Sequence, residues 1–245
     1  MGNGRKSGLP RGIRDVSDRI DLSQIDLTKF KMFRARLDPT APDTDFLSDE
    51  GKTAQWFQDH SNFNDLAMKI VDSKEDLAAI DAWTGGEFMD GQQYKGFSSM
   101  DAEHQAWTRS LDNMIDQSVI YRDVVVSRLS DWKQLGGVKT PQELDRLVGT
   151  ETVILGHHAA SAADQGLSIG NVDKNVEYRY YIPGGTKGAA MWIGDDSINW
   201  FGDAQRETIV NRDSVFTIGG YHYDTTRNVY VVDLLWKKKL PHNYN

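Results

Sequence analysis

The stretch VEYRYYIPGGTKGAAMWIG, residues 176–194, has the pattern that decides the fold. β-Branched and aromatic residues alternate with polar ones before Pro183, and small or apolar residues follow Gly188. Such runs on both sides of a Pro/Gly cluster predict two short strands joined by a tight turn. The turn PGGTKG lacks the Gly-Lys-Ser/Thr order of a phosphate-binding loop, so we interpret it as a turn alone.

Short strands of the same kind occupy most of the chain after Ser118. They are rich in β-branched and aromatic residues and are separated by Gly, Pro, Asn and Asp clusters. The further predicted strands are DVVVSRL (123–129), TVILGHHAA (152–160), RETIV (206–210), SVFTIGGYHYD (214–224) and NVYVVDLLW (228–236). One helix, TPQELDRLV (140–148), interrupts them, and the DTTRN link between the last two strands predicts a hairpin.

Before Ser118 the hydrophobic period is helical. One predicted helix starts in SDEGKTAQWFQDH (48–60), and a second in SKEDLAAIDAWTGGEF (73–88), where Ser73 is the N-cap. Leu77, Ala79, Ile80 and Trp83 give the second helix its apolar residues. The third helix lies in residues 98–119, and its expected apolar stripe is Ala106, Trp107, Leu111, Met114 and Ile115. Helices first and strands afterwards is the order typical of an α+β protein.

The charge is uneven along the chain. The 245 residues carry a net charge of −8, which does not favour a protein that coats nucleic acid. Residues 1–36 hold nine Lys/Arg against four Asp, a net +5, which leaves −13 for the remainder. We interpret residues 1–45 as a basic, flexible arm with at most one short helix near Leu27 to Leu37, and residues 46–245 as a single domain. The arm either holds a partner or is a solvated tail.

Several classes of protein are disfavoured by the composition. The chain has no cysteine, so disulfide scaffolds, thiolate nucleophiles and Cys-based metal sites are excluded. The pair His157 and His158 lacks a third ligand at a recognisable spacing, so we expect no metal site. The N-terminus has no apolar segment like that of a signal peptide, and no run of residues is long enough to span a membrane. We therefore expect a soluble protein that acts in the cytoplasm of a producing, target or host cell.

Three polar features stand out in the strand-rich half. Gln205 and Glu207 are two residues apart at the start of a strand, so their side chains share one face. Arg128 ends a strand that is otherwise apolar, and Ser161 follows a short strand. Each has an ordinary structural explanation, namely a solvated strand edge, a snorkelling or paired arginine, and a turn serine.

Taken in order, these features resemble the mono-ADP-ribosyltransferases with an Arg, a Ser-Thr-Ser motif and a Glu/Gln-x-Glu motif. Clostridial Rho-modifying exoenzymes, binary actin-modifying toxins and phage-encoded transferases form this branch. The most specific match is VEYRYYIPGGTKGAAMWIG, which is similar to the strand, Pro-x-Gly-Thr/Ser-Lys-Gly/Ala turn and strand of the family. DAQRETIVNRDSVFTI (203–218) resembles its Gln-x-Glu strand, and the AIDAWT run (79–84) resembles part of its opening helices. The resemblance covers roughly residues 48 to 238.

The resemblance implies an α+β fold in which N-terminal helices pack on a strand-rich core of two antiparallel sheets with an NAD cleft. It also implies that one pocket gathers the Arg128 guanidinium and the Glu207 carboxylate around one NAD. Glu207 would stabilise the oxocarbenium-like transition state, and Gln205 would orient the acceptor. Arg128, with its neighbour Leu129, would bind the phosphates, while Arg122 is the alternative arginine. Ser161 would hold the ribose.

The remaining family positions are less regular in this chain. The Ser-Thr-Ser motif falls near GHHAASAA (156–163), where the three sites are either Ala159, Ala160 and Ser161, or Ser161, Ala162 and Ala163. Only one serine is present in either register. Trp200 and Phe201 match the aromatic loop through which the family touches its target, with packing under the loop as the alternative.

The resemblance therefore implies a toxin- or effector-like enzyme that uses NAD as a substrate and needs no metal. It would release nicotinamide and transfer ADP-ribose to a macromolecule. Gln at position 205 favours a protein side chain other than arginine, and a protein target is preferred over nucleic acid. Two alternatives remain open: an NAD glycohydrolase, or a degenerate transferase fold serving as a binding or virion-associated structural module.

Overall fold

The structure is a computed structural model. It describes residues 21–30, 33, 70–71, 73–87, 93, 95–120, 123–135, 138, 140–161, 167–168, 175–193 and 207–245. The α-helices in these residues are α1 (Lys74–Thr84), α2 (Ala102–Gln117) and α3 (Pro141–Leu147). Each begins at a side-chain cap, because Ser73, Asp101 and Thr140 accept hydrogen bonds from backbone N–H groups of the first turn.

The other regular elements of the described residues are mainly strands. In chain order they are β1 (Val119–Ile120), β2 (Val124–Ser130), β3 (Glu151–Val153), β4 (His158–Ser161), β5 (Leu167–Ser168), β6 (Val176–Ile182), β7 (Thr186–Lys187), β8 (Ala190–Trp192), β9 (Glu207–Val210), β10 (Ser214–Asp224) and β11 (Val229–Lys239). Short 3₁₀ turns cover Leu22–Gln24, Leu27–Lys29, Phe97–Ser99 and Trp132–Leu135. The predicted α+β class is confirmed.

The strands are organised around β2. A nine-stranded sheet has the order β3-β10-β11-β6-β2-β4-β9-β8, with β5 also paired to β2, and β1 and β7 form a separate two-stranded sheet. The β10–β11 hairpin is antiparallel, as predicted, whereas β11–β6 and β2–β5 are parallel. The sheets therefore differ from the expected antiparallel pair, because the large sheet is mixed. It divides at β2, which pairs with β4 and β5 as well as with β6.

The turn after β6 has the geometry that its sequence predicts. Gly185 and Gly188 have φ angles of 85° and 73°, a region that favours glycine. The Gly185 N–H donates to the Ile120 carbonyl at 2.6 Å, and the Gly188 N–H donates to the Ser118 carbonyl at 2.9 Å. The turn therefore ties the strand-rich half to the end of α2.

The large sheet is covered on both faces. On one face, Leu144 and Leu147 of α3 pack with Val126, Tyr178 and Phe216. On the other face, α1 and α2 pack over β4, β8 and β9, and this contact buries Ile80, Trp83, Leu111, Ile209 and other apolar residues. Three layers result, with Glu207 at the start of β9 among the residues beneath α1.

Two predicted stripe positions face solvent. Leu77 of α1 is 47% exposed, because the buried face of that helix is centred on Ala79, Ile80 and Trp83. Ala106 of α2 is also exposed, and the buried face of α2 includes the polar Asp112 instead. The apolar period predicted the helices correctly but misplaced the edges of their buried faces.

The run TVILGHHAA is two strands, not one. Residues 154–157 leave the sheet after β3, and the chain re-enters it as β4. β3 pairs with β10 near one edge, whereas β4 lies between β2 and β9. The excursion brings His157 and Ser161 to the middle of the molecule.

Part of the N-terminal arm is docked on the sheet. Phe30 and Phe33 are buried against Tyr181 and Leu235, on the same side as α1 and α2. A Cβ added to Gly219 would lie 3.0 Å from the Phe33 ring, so the glycine leaves space for that ring. This docking was not predicted from the composition of the arm. None of the helices in the described ranges has the length and apolarity needed to cross a membrane.

Candidate active site

Three adjacent strands bring a polar row together at the centre of the large sheet. Ser161 of β4 pairs with Ser127 of β2 on one side and with Glu207 of β9 on the other. Neighbouring strands lie about 4.8 Å apart, so these three backbone positions fall within roughly 10 Å. The sheet therefore collects residues that are 34 and 46 positions apart in the sequence.

Glu207 is the buried carboxylate of this row. It is only 3% exposed, and its Oε1 atom accepts a hydrogen bond of 2.8 Å from the indole Nε1 of Trp83. Its backbone is held on both sides, by β4 and by the Ile193 N–H, which donates to the Glu207 carbonyl at 3.0 Å. A buried carboxylate is strongly unfavourable without hydrogen bonds, and the indole supplies one without adding a charge.

Trp83 is held in place by its helix and by a histidine. The Ser73 side chain caps α1 by accepting from the Asp76 N–H at 3.0 Å. The Ser110 hydroxyl of α2 donates to the Asp76 carboxylate, which joins the two helices. The Trp83 ring meets the His157 ring edge to face, with 6.0 Å between the ring centroids. The sequence analysis treated Trp83 as a core residue, although Trp83 lies in the AIDAWT run that resembles the opening helices of the family.

Ser161 occupies the central position of the row, and the structure describes its backbone. Its pairing with Glu207 makes Ser161, rather than Ala159 or Ala160, the β4 residue directly opposite the carboxylate. In one of the two registers considered for the Ser-Thr-Ser motif, Ser161 is the first residue. Ala162 and Ala163, which would complete that register, lie outside the described residues.

Arg128 lies at the point where the sheet divides. It pairs with Tyr178 of β6 and Leu167 of β5, and Leu129 follows it in both ladders, whereas β2 meets β4 only at Ser127. Alternation along the strand places Ser127, not Arg128, on the same side as Glu207. The Arg128 charge instead acts on His158, whose pKa burial and this charge lower well below 6.5. A pocket shared with Glu207 therefore requires the Arg128 side chain to turn where β2 leaves β4.

A second buried polar group lies behind Trp83. The His157 Nε2 atom is 3.2 Å from Asp112 Oδ1, and its Nδ1 atom is 3.0 Å from Gln93 Oε1. Arg212 donates to both oxygens of Asp112, from Nε at 2.8 Å and from Nη2 at 2.6 Å. Burial alone would raise the pKa of Asp112, but His157 and Arg212 outweigh it and hold that pKa well below its usual range.

The other predicted site residues cannot be placed. Gln205, Trp200, Phe201 and the alternative Arg122 all lie outside the described residues. Within the described part of the chain, no group of three His, Asp or Glu side chains has an arrangement that could hold a metal ion. The sequence reasoning missed Ser127 and Trp83, because neither residue type marks a site by itself.

Comparison with known proteins identifies the fold. No protein-family model matches the chain, and no curated protein matches its sequence. Solved structures do match. C3stau2 from S. aureus, determined with NAD, has a TM-score of 0.61 and 17% identity, and the match covers 81% of this chain and 100% of that one. The chain has the ADP-ribosyltransferase fold.

Two further structures agree with this assignment. The Clostridium limosum C3 exoenzyme has a TM-score of 0.62 at 15% identity over 81% of this chain and 99% of its own. Plx2a, an ADP-ribosyltransferase toxin from Paenibacillus larvae, has a TM-score of 0.60 at 15% identity over 78% of this chain and 96% of its own. Because these identities are low, the similarity defines the fold, and the chemistry has to be argued from the site.

Proposed function

We propose that this protein is a mono-ADP-ribosyltransferase that breaks the nicotinamide–ribose bond of NAD. The observation that carries the proposal is the buried Glu207, paired to Ser161 at the centre of an ADP-ribosyltransferase fold and held by a neutral donor. A carboxylate that is not neutralised by its indole partner keeps its negative charge available for a cationic transition state.

The bond that breaks joins the ribose C1′ atom to the pyridinium nitrogen. Nicotinamide leaves with the electron pair and becomes neutral, while positive charge develops on C1′ and the ring oxygen. Glu207 stabilises this oxocarbenium-like state from a preorganised position, and the acceptor then forms the new bond at C1′ and loses its proton. Water as the acceptor gives ADP-ribose, and a protein side chain gives the modified target.

The other predicted residues take supporting roles. Ser161 and Leu129 line the NAD site, and Arg128 binds the phosphates through its planar, permanently charged group. Gln205 orients an acceptor that is not arginine, and Trp200 and Phe201 contact the target. Several of the proteins with similar structures are toxins or exoenzymes, which supports a protein target and action inside a target cell over a nucleic-acid acceptor.

The test is NAD turnover by the full chain and by a matched pair of variants at position 207. Glu207→Gln keeps the shape and the acceptor for Trp83 but removes the charge. We expect it to lower nicotinamide release by about 10² to 10³-fold, the size of effect typical for loss of a preorganised electrostatic group. Labelled NAD with cell lysates then shows whether ADP-ribose is transferred. Equal turnover by wild type and Glu207→Gln would refute the assigned role.

Arg128 provides a second, independent arm of this test. If its guanidinium reaches the phosphates, Arg128→Lys should raise KM for NAD about tenfold, because a bidentate contact is lost. If Arg128 instead stays on the His158 side of β2, Arg128→Lys should leave KM unchanged. The latter result would remove Arg128 from the site and leave the role of Glu207 to be judged on its own data.

A catalytically degenerate module is the second candidate function. It is favoured by Ala159 and Ala160, which bring no hydrogen-bonding side chain to β4, and by the offset of Arg128 from the row. Calorimetry with NAD separates the candidates, since a degenerate module shows no binding. Nicotinamide release that is independent of any acceptor protein would instead identify an NAD glycohydrolase.

A further inference from the structure

We propose that Trp83 is a positioning residue that sets the orientation of the Glu207 carboxylate through its indole N–H. This inference rests on the proposed function of Glu207, but the hydrogen bond on which it depends is a property of the fold. The bond joins residues 124 positions apart and is 2.8 Å long, and both side chains are buried. The effect of Trp83 on the reaction would pass through this hydrogen bond to Glu207.

Glu207 needs an external partner to hold its carboxylate in one orientation. The terminal torsion of glutamate is broad and nearly two-fold, so the backbone of β9 does not determine where the two oxygens point. On the adjacent strand, Ser161 lies opposite Glu207, while Ala159 and Ala160 have no side-chain donor. The Trp83 indole adds a donor from α1, a different layer of the protein.

The indole is well suited to this task. It donates one hydrogen bond and accepts none, so in this contact the indole is always the donor and Oε1 the acceptor. It also carries no charge, so this contact adds no positive charge beside the carboxylate. With Oε1 bonded to the indole, the plane and direction of the carboxylate are restricted.

Trp83 is rigid enough to transmit this orientation. Its helix begins at the Ser73 cap and is bonded to α2 through Asp76 and Ser110. Behind the indole lies His157, whose backbone N–H and Nδ1 both contact Gln93 Oε1. A donor held by two helices and a buried histidine positions the acid more firmly than a mobile loop would.

The experiment compares Trp83→Phe, Trp83→Tyr and the control Trp107→Phe in NAD turnover by the full chain. Trp83→Phe keeps an aromatic ring but loses the donor, and we expect kcat to fall about tenfold with KM changed less than about twofold. Trp83→Tyr restores a donor and should recover part of that loss. Trp107 lies half-exposed on α2, so Trp107→Phe should behave like wild type. Equal kcat in Trp83→Phe and Trp107→Phe would overturn the proposal.

A second measurement tests the hydrogen bond without relying on activity. The chain has seven tryptophans, so an ¹⁵N-labelled sample gives at most seven indole N–H resonances in an NMR spectrum. The Trp83 signal is the one lost in Trp83→Phe. It should move when Glu207→Gln replaces the carboxylate with an amide. A Trp83 signal that is unaffected by this change would overturn the proposal.

The two measurements keep this inference separate from the proposed function. If wild type turns over no NAD while the Trp83 signal responds to Glu207, the enzymatic proposal fails and the contact stands. If wild type is active and Trp83→Phe is equally active with an unchanged melting temperature, the positioning role fails and the enzymatic proposal stands.

Discussion

Glu207 and Asp112 are both buried carboxylates, and their surroundings are opposite in kind. Asp112 receives two hydrogen bonds from Arg212 and faces His157, whereas the hydrogen bond described for Glu207 comes from a neutral indole. The two acids are neighbours in one chain of contacts, since Trp83 touches both Glu207 and His157. Under the proposed function, the charge of Asp112 is used by the fold and the charge of Glu207 acts on a ligand.

The surroundings of Asp112 explain why it is structural. Arg212 and Asp112 form a two-point contact, and the Tyr244 hydroxyl donates to Asp112 Oδ2 at 2.9 Å. Burial and the nearby Asp112 raise the pKa of Tyr244 to about 12, so the phenol keeps the proton that it donates. These contacts join α2, the turn before β10 and the residues after β11.

The largest expected effect on stability comes from removing the negative charge of Asp112. Asp112→Asn leaves Arg212 and His157 without their buried anion, so we expect it to lower the free energy of unfolding by about 3–5 kcal/mol. Urea unfolding monitored by circular dichroism measures the change. The matched control is Asp116→Asn, one turn further along α2, where the carboxylate is partly exposed and bonded to Lys239 and His242.

Asp116→Asn should cost about 1 kcal/mol or less, because solvent screens partly exposed ion pairs. Similar losses for the two variants would show that the Asp112 network carries no special stability. In that case the distinction between the two buried acids would no longer hold.

A smaller effect is expected from the pH dependence of stability. His158 is buried and bonded to the Tyr180 hydroxyl at 2.7 Å, and burial together with the Arg128 charge lowers its pKa well below 6.5. Below pH 6.5 the unfolded chain therefore binds a proton that the folded protein does not. The stabilisation is complete above pH 6.5 and should fall by up to about 1.4 kcal/mol per pH unit on acidification.

His158→Asn isolates this contribution. The variant should have a flatter dependence of unfolding free energy on pH between 6.5 and 5, by close to one proton, because the buried titrating group is gone. His242, whose pKa the hydrogen bonds to Asp116 and Asp213 raise despite burial, acts in the opposite direction but is present in both proteins. His222→Asn at an exposed site should leave the slope unchanged. A slope unaffected by His158→Asn would refute the assignment.

The sequence predicted the helices and strands around the two acids better than the contacts between them. The alternating pattern and the Pro/Gly turn located β6 and β8 but not the short β7 within the turn, and the Ser73, Asp76 and Trp83 pattern located α1. These features depend on neighbours within a few residues. Leu77 was wrongly predicted to be buried, because the edge of a buried helical face depends on the layer that covers it, which is not a local property.

The site was predictable only where its residues carry a local pattern. Gln205 and Glu207 were selected by their spacing, and Ser161 by its order along the chain. Asp112 and Arg212 are 100 positions apart, and Trp83 and Glu207 are 124 apart, so no local period links either pair. The register of β2 against β4 decides that Ser127, and not Arg128, lies on the same side of the sheet as Glu207. That register is set by the whole sheet.

The smallest expected effect on stability comes from removing the charge of Glu207. Glu207→Gln keeps a carbonyl oxygen for the Trp83 indole and removes a buried charge. We therefore expect the free energy of unfolding at pH 7 to change by no more than about 0.5 kcal/mol or to increase, although turnover of NAD is largely lost. Acids kept charged in the interior for a ligand are commonly destabilising, since function and not folding retains them. Urea unfolding of wild type, Glu207→Gln and Asp112→Asn under one condition gives the contrast directly. A loss with Glu207→Gln as large as that with Asp112→Asn would mean that Glu207, too, is an acid used by the fold.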